Sequence, residues 1–245
     1  IFKLEEHTER LFNSTRILGM EIPYDAKTLN QAQREVVTKN NLESAYIRPM
    51  CFYGSEGMGL RADNLKVHTM IAAWEWGAYL GEDNMKNGIR IRTSSYVRHP
   101  AHPSLSGAKT NGIYVNSMMA LKEALDHGFD EALMLDIDGY VSEGSGENIF
   151  VIKGDVIYTP HLTSALPGIT RDTIFTLAKS LGYDIIEKKL SCDEIYTSDE
   201  AFFTGTAAEV TPIRDLDGNQ IGQGSRGPVT EKLQSLYFDC VHGRN

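Results

Sequence analysis

Apolar residues recur along the chain with two different spacings, and each spacing predicts a different element. Spacings of three and four residues predict helices at about 5–18, 26–40, 114–126, 170–181 and 228–240. Gly128 and Gly182 follow two of these segments and are expected to cap their C-termini. Pro228 stands where the first turn of the last helix is expected.

Alternating or continuous apolar runs predict strands between these helices. The clearest alternation places Ile89, Ile91 and Thr93 against Arg90 and Arg92. Strands are expected at about 44–53, 67–76, 88–96, 131–136, 140–143, 148–153, 156–159, 184–190, 200–204 and 209–214. The chain is therefore expected to have an α/β (α+β) fold.

A polar stretch at 81–88 breaks this pattern and is the best candidate for a linker. It would separate a small α/β domain, 1–80, from a larger, strand-rich domain, 89–245. Only two strands are predicted in the small domain, and two strands alone make a marginal sheet. Further strands are therefore expected before Ile1.

Composition narrows the class of protein. The 245 residues are 41% hydrophobic and 23% charged, as in ordinary globular proteins. The net charge of −9, without a Lys/Arg-rich run, argues against nucleic acid and anionic membranes as partners. Cys51, Cys192 and Cys240 are far apart and show no metal-ligand spacing, so neither a metal site nor a disulfide framework is expected. No apolar run reaches membrane-spanning length and no signal peptide is visible, so a cytoplasmic location is expected.

Lys109 is the first candidate for chemistry. It lies among small residues in the stretch 106–114, and Tyr114 follows at the start of a predicted helix. Taken alone, most lysines are surface residues. Gly107, Ala108 and Gly112 would instead allow a flat ring to approach, and partial burial would help the amine lose its proton.

Glu143 is the second candidate, in the glycine-rich segment 142–148. The ordinary interpretation is a solvated turn residue. The functional interpretation is a carboxylate that pairs with a pyridine nitrogen and keeps it protonated.

The segment 166–172 supplies a candidate anion site at the start of a predicted helix. Thr170 has a plain structural explanation as the N-cap residue. Phosphate binding by the exposed amides and the hydroxyl is compatible with it. The small residues Thr204–Ala208 end a strand and form either a simple turn or a second set of amides for an anion. A reactive lysine, a carboxylate on a tight turn and a phosphate site are together what pyridoxal 5′-phosphate requires.

The chain resembles the branched-chain amino-acid aminotransferases, which are fold-type IV pyridoxal-phosphate enzymes. The resemblance covers nearly the whole chain. Six motifs carry it: Tyr46-Ile47-Arg48-Pro49, Trp76-Gly77-Ala78-Tyr79-Leu80-Gly81, Ala108-Lys109, Glu143-Gly144-Ser145-Gly146-Glu147-Asn148, Leu166-Pro167-Gly168-Ile169-Thr170-Arg171 and Gly205-Thr206-Ala207-Ala208-Glu209. It implies a two-domain fold with the cofactor at the domain interface.

The resemblance also implies roles in cofactor binding. Lys109 would carry the cofactor covalently, Tyr114 would donate to its phenolic oxygen, and Glu143 would meet its pyridine nitrogen. Leu166 would lie under the ring. The phosphate would be held by Arg10, Gly168, Ile169, Thr170, Gly205 and Thr206.

On the substrate side, the resemblance assigns the α-carboxylate to the amides of Thr206 and Ala207 with the hydroxyl of Tyr46. Arg48 would meet the distal carboxylate of glutamate, and Trp76 would help to wall the pocket. Tyr79 would lie on a loop that reaches a neighbouring subunit, which implies a homodimer or an assembly of dimers.

The implied activity is transamination between leucine, isoleucine or valine and 2-oxoglutarate. Two alternatives remain. One is another fold-type IV enzyme, either a D-amino-acid aminotransferase or an aminodeoxychorismate lyase, although the segment 46–49 favours the branched-chain type. The other is a small-molecule binding protein without turnover.

Overall fold

A computed structural model describes residues 1–77, 79–100 and 107–244. The chain divides into two compact units, Ile1–Trp76 and Gly77–Asn245. The division lies slightly before the linker that the sequence predicts.

The first unit consists of two helices followed by a hairpin: α1 (Leu4–Ile17), α2 (Ala26–Lys39), β1 (Tyr46–Tyr53) and β2 (Val67–Trp74). The carboxylate of Asp25 caps α2 by accepting from the Thr28 amide at 2.8 Å. The two strands are antiparallel, with Tyr46 opposite Trp74. The pairing thus brings the first residue of one strand beside the last residue of the other.

The second unit is a mixed sheet with helices packed against it. Its helices are α3 (Asn84–Asn87), α4 (Tyr114–Asp126), α5 (Ile169–Ser180), α6 (Cys192–Tyr196) and α7 (Pro228–Val241), and a 3₁₀ turn spans Asn111–Ile113. Its strands are β3 (Ile89–Thr93), β4 (Glu131–Leu135), β5 (Val141–Gly144), β6 (Asn148–Lys153), β7 (Val156–Thr159), β8 (Asp184–Glu187), β9 (Glu200–Gly205), β10 (Glu209–Leu216) and β11 (Asn219–Gln220).

The strands of this sheet follow the order β5-β4-β3-β10-β9-β6-β7-β8, with β11 paired to β10. The pairs β3–β4, β3–β10 and β7–β8 are parallel, and the others are antiparallel. Strand β6 is apolar on both faces because both are covered. Ile149 and Phe203 belong to one core cluster, while Phe150 stacks on Phe202 with ring centroids 5.1 Å apart on the other side.

This topology gathers sequence motifs that are far apart in the chain. Asn148, at the start of β6, pairs with Thr204 near the end of β9. The turn after Glu143 and the turn after Gly205 therefore lie side by side at one end of the sheet.

Several predicted boundaries change for physical reasons. Helix α3 lies inside the predicted linker, and α3, α6 and β11 are too short to show a period in the sequence. The predicted strand 184–190 ends at Glu187, and the chain then turns into the Ser191 capping box of α6. The prediction that Thr170 caps α5 is wrong: Gly168 is the N-cap and the helix begins at Ile169.

Within the described ranges, none of the helices is both long and apolar enough to cross a bilayer.

Candidate active site

A partly open cavity in the second unit collects four of the sequence candidates. Lys109, Tyr114, Glu143 and Leu166 all line it. The other lining residues are Arg98, Ala108, Thr110, Ile113, Ser145 and Gly146. The glycine-rich turn after β5 and the segment before α5 thus contribute to one site.

Lys109 and Tyr114 form a pair at this cavity. The 3₁₀ turn Asn111–Ile113 connects them, so the tyrosine becomes the first residue of α4. Nζ of Lys109 donates to the tyrosine hydroxyl at 2.6 Å. Lys109 is exposed, so the partial burial that would help its amine lose a proton is not seen in this structure. The small neighbours that would admit a ring also leave the lysine open to solvent.

Glu143 is buried, so its interpretation as a solvated turn residue is wrong: only 3% of its surface is exposed. One carboxylate oxygen, Oε2, accepts from the Leu166 amide at 3.0 Å and from Nδ2 of Asn148 at 3.3 Å. The other, Oε1, lies 2.6 Å from Nη2 of Arg98 but outside hydrogen-bond geometry. Burial raises the pKa of Glu143, and the charges of Arg98 and Lys109 oppose this rise.

Two further glutamates are buried near this turn. Burial raises the pKa of Glu131 to about 7, and hydrogen bonds from Ala132 and Ser145 oppose this rise. Burial, and then the charge of Glu131, raise the pKa of Glu147 well above its ordinary value. A buried group of acidic residues therefore backs the wall that carries Glu143.

Two glycines in these motifs are required by close approaches. A Cβ on Gly144 would lie 2.7 Å from Oε2 of Glu147, and one on Gly168 would lie 2.1 Å from Oδ1 of Asn148. Asn148 is fixed because it also donates to the Leu166 carbonyl at 2.9 Å. Gly146 differs, since a Cβ there would meet no atom of the described residues within 4 Å, and this residue lines the cavity.

The candidate phosphate residues lie on two turns of the same unit. Gly168 and Ile169 begin α5, where the first amides of a helix favour an anion. The side chain of Thr170 is buried and hydrogen-bonds Tyr237, whose pKa burial raises to about 12. Gly205 is the last residue of β9, and Thr206 and Ala207 lie in the turn after it, with Thr206 exposed.

In the first unit, an aromatic cluster surrounds Arg48. Its guanidinium carbon lies 5.2 Å from the ring centroids of Tyr46 and Trp74, and 5.9 Å from that of Trp76. The Tyr46 and Trp76 rings meet edge to face at 4.8 Å. Sequence reasoning expected two of these rings and missed Trp74, which the β1–β2 register places opposite Tyr46.

Three candidates remain: Arg10, Trp76 and Tyr79. Arg10 lies on α1, with Nη2 at 3.3 Å from Nδ1 of His7. Trp76 and Tyr79 are 40% and 38% exposed. Ala78 and Ser106, which belong to two of the sequence motifs, lie outside the described residues.

Sequence reasoning also missed Arg98 and did not assign a role to Asn148. Asn148 lay within a recognised motif, and its position directly after the turn was the available signal. Arg98 follows a strand in a loop, and no spacing connects it to Glu143.

Comparison with known proteins identifies the family. The model of the family described as amino-transferase class IV matches residues 1–216. A branched-chain-amino-acid aminotransferase from Pseudomonas aeruginosa is 62% identical over 244 residues, which cover 100% of this chain and 80% of that protein.

Solved structures agree. The T.th. branched-chain amino acid aminotransferase with pyridoxamine 5′-phosphate has a TM-score of 0.96 at 46% identity, covering 100% of this chain and 80% of that one. With the same coverage, its complexes with N-(5′-phosphopyridoxyl)-L-glutamate and with 4-methylvaleric acid give TM-scores of 0.95 and 0.92 at 45% and 43% identity. The chain belongs to the class IV aminotransferase family, among its branched-chain amino-acid aminotransferases.

Proposed function

We propose that this enzyme uses pyridoxal 5′-phosphate to transfer the amino group of leucine, isoleucine or valine to 2-oxoglutarate. The products are branched 2-oxo acids and L-glutamate. The relatives support both halves of the reaction, since one binds a phosphopyridoxyl adduct of glutamate and also 4-methylvaleric acid, whose branched chain resembles that of leucine.

The observation that carries the proposal is that Lys109, Tyr114 and Glu143 line one cavity. The donor set fits the cofactor. The amine can bond to its aldehyde carbon, and Glu143 offers a buried oxygen, Oε1, that lacks a well-directed hydrogen bond. The bare backbone of Gly146 leaves room for a flat ring, because nothing lies within 4 Å of a Cβ placed there.

The remaining cofactor contacts follow from this placement. Tyr114 would donate to the phenolic oxygen and Leu166 would lie under the ring. The phosphate would accept hydrogen bonds from the amides of Ile169 and Thr170 at the start of α5. Gly168, Gly205, Thr206 and Arg10 complete the proposed phosphate set.

The bound cofactor supplies an electron sink that weakens the bonds to the substrate's Cα. Glu143 favours this sink because an ionised carboxylate stabilises a protonated pyridine nitrogen. Nζ of Lys109 would take the proton from the substrate's Cα and return it at the C4′ carbon of the cofactor. This nitrogen donates to the Tyr114 hydroxyl at 2.6 Å, which holds the lysine at the cavity.

The substrate contacts are also part of the proposal. The amides of Thr206 and Ala207 and the hydroxyl of Tyr46 would bind the α-carboxylate. Arg48 would meet the distal carboxylate of glutamate, beside the wall provided by Trp76. Tyr79 would serve the site of a partner subunit in a cytoplasmic homodimer or assembly of dimers.

Absorbance spectroscopy tests the proposal. Adding L-leucine to the loaded protein should move the cofactor band to that of the pyridoxamine form, and 2-oxoglutarate should restore it. D-leucine is the matched control, and Lys109→Ala should abolish the cycle. A response to D-leucine alone would indicate a D-amino-acid enzyme, and a band unchanged by every amino acid would indicate a binding protein.

A further inference from the structure

Arg98 is a buried cation at the cavity wall. It follows β3 in the chain, and its amide donates to the Leu135 carbonyl at 2.7 Å, which fixes the loop against the end of β4. Only 7% of its surface is exposed. Its guanidinium contacts two elements: Nη1 donates to the Ser117 hydroxyl on α4 at 3.0 Å, and Nη2 lies 2.6 Å from Oε1 of Glu143.

Burying an arginine is costly unless a charge partner compensates it. Glu143 is that partner, and both side chains are more than nine-tenths buried. Because neither charge is well hydrated, the guanidinium strongly favours the ionised form of Glu143. The pair thus links a loop outside the recognised motifs to the carboxylate that the motifs place at the site.

The groups facing Glu143 differ in what they do to its charge. Arg98 and the exposed amine of Lys109 favour the carboxylate, as do the donors from Leu166 and Asn148. Glu147 carries an acidic group on the same turn and disfavours a further negative charge.

The charge of Glu131, in turn, raises the pKa of Glu147. Burial raises the pKa of Glu131 itself, and the contacts that oppose this rise are hydrogen bonds from Ala132 and Ser145. Glu143, by contrast, faces a buried guanidinium. The arrangement therefore singles out one of three buried glutamates to carry the charge.

We propose that Arg98 is a positioning residue that keeps Glu143 ionised and held toward the cavity before the cofactor binds. This rests on the proposed function of Glu143 and deepens it. Without the guanidinium, a buried Glu143 takes up a proton at neutral pH. A neutral carboxylic acid would donate to an unprotonated pyridine nitrogen, and the ring would be a weaker electron sink.

A purely structural role is the competing explanation, since Arg98 also anchors α4, the helix that begins with Tyr114. Ser117→Ala separates the two roles, because it removes the anchor at α4 and leaves the pair with Glu143 intact. Arg98→Lys restores a cation without the forked geometry, and Arg98→Gln retains donors without the charge.

The decisive measurement is infrared difference spectroscopy of the cofactor-free protein at pH 7. The difference spectrum of Arg98→Met minus wild type should show one additional band from a protonated carboxyl group. The band should be absent in the double variant Arg98→Met/Glu143→Gln and in Arg98→Lys. Arg98→Gln should show the same band and replaces Arg98→Met if that variant does not fold.

The matched control is Arg171→Met. Arg171 is equally buried, at 7% exposure, and pairs with Glu187 at 2.7 Å, away from the cavity lining. Glu187 is itself exposed to water, so the loss of Arg171 should give no new band. Ser117→Ala should also give none.

In the loaded protein, the charge-neutral variants should slow the leucine half-reaction roughly tenfold or more, as expected when one charge-assisted hydrogen bond is weakened. The loss should largely disappear in a Glu143→Gln background. If the Arg98 variants slow the half-reaction by the same factor in the wild-type and the Glu143→Gln proteins, the role of Arg98 is structural.

A wild-type spectrum that already contains the Glu143 band, or an Arg98→Met spectrum without it, would overturn the inference. The infrared result requires no turnover. An infrared band in a protein that never binds pyridoxal 5′-phosphate would therefore refute the proposed function and leave the ionisation argument standing.

Discussion

Individual side chains at this site differ chiefly in how much water reaches them. Lys109 is exposed, whereas Glu143 and Arg98 are almost fully buried. The lysine is therefore accessible to an incoming aldehyde or amine. The buried pair lies in a low-dielectric environment, where the loss of one charge is felt strongly by the other. Two predictions concern side chains, one of them the exposed arginine of the first unit, Arg48.

Arg48 should contribute more to the half-reaction with glutamate than to the half-reaction with leucine. A second carboxylate in an aromatic pocket needs a cation, whereas an aliphatic chain does not. The rings of Tyr46, Trp74 and Trp76 hold the guanidinium in place. Arg48→Ala should therefore slow the glutamate half-reaction more than the leucine half-reaction in single-turnover absorbance measurements. Arg34→Ala, an exposed arginine on α2, is the control, and equal losses with both substrates would show that Arg48 is structural.

Glu131 should make stability depend on pH. Burial raises its pKa from 4.5 to about 7. The folded protein thus holds this proton more tightly than the unfolded chain, so the stabilisation is complete below about pH 4.5 and is lost as the pH rises through 7.

Glu131→Gln should remove that loss. From pH 5 to pH 8 its free energy of unfolding should rise relative to wild type, by at most roughly 3 kcal/mol. Urea unfolding at both pH values measures this difference. Exposed Glu82→Gln is the control, and parallel pH profiles for Glu131→Gln and wild type would contradict the assignment.

At the scale of elements, the site is built where strand ends and helix starts meet. The sequence predicted α4 at its observed bounds, because a long apolar period is a strong signal. It predicted β6 equally well, as a continuous apolar run. It missed α3 and α6, whose few residues cannot display a period.

The pair of Arg98 and Glu143 was beyond sequence reasoning for a topological reason. Arg98 follows β3 and Glu143 lies on β5, and β4 separates those strands in the sheet. Only the order of the strands reveals that the two side chains can meet. The glycines of the motifs could be recognised in the sequence. Which of them would clash if a Cβ were added depends on the conformation of the folded turn.

Gly168 should be intolerant of a side chain at the start of α5. A Cβ there would lie 2.1 Å from Oδ1 of Asn148, which cannot yield without disturbing Leu166 and Glu143. Gly168→Ala should cost about 1–3 kcal/mol of stability and weaken cofactor retention.

Thermal unfolding of the cofactor-free protein tests this prediction. Gly146→Ala is the matched comparison, because its Cβ would meet nothing within 4 Å. That variant should unfold at nearly the wild-type temperature. Equal melting temperatures for Gly168→Ala and wild type would mean that Asn148 moves aside easily.

At the scale of the whole molecule, the central question is whether active sites are shared between chains. Trp76 and Tyr79 are themselves exposed aromatic side chains, and exposed apolar surfaces commonly mark interfaces. Leu80, by contrast, packs partly against the core of the second unit. A loop anchored at Leu80 and exposed at Tyr79 is consistent with a partner that covers it.

Mixing two variant chains tests whether active sites are shared. If the proposed dimer forms, combining Lys109→Ala with Tyr79→Ala chains yields mixed dimers in which one site has both an intact Lys109 and a wild-type Tyr79 loop. Activity should then exceed that of either variant alone, provided that Tyr79→Ala alone is impaired. A monomer in sedimentation at micromolar concentration, or no recovery after mixing, would contradict this arrangement.

The central claim is that Lys109 carries the cofactor, and borohydride reduction tests it most directly. Reduction of the loaded protein makes the bond between cofactor and lysine permanent, and peptide mapping then locates the label. Lys122, which is exposed on α4 and paired with Asp126, is an internal control. The account predicts a pyridoxyl group on the peptide that contains Lys109 and none after prior treatment with L-leucine. A label on any other lysine, or no label on a protein that retains the cofactor, would contradict it.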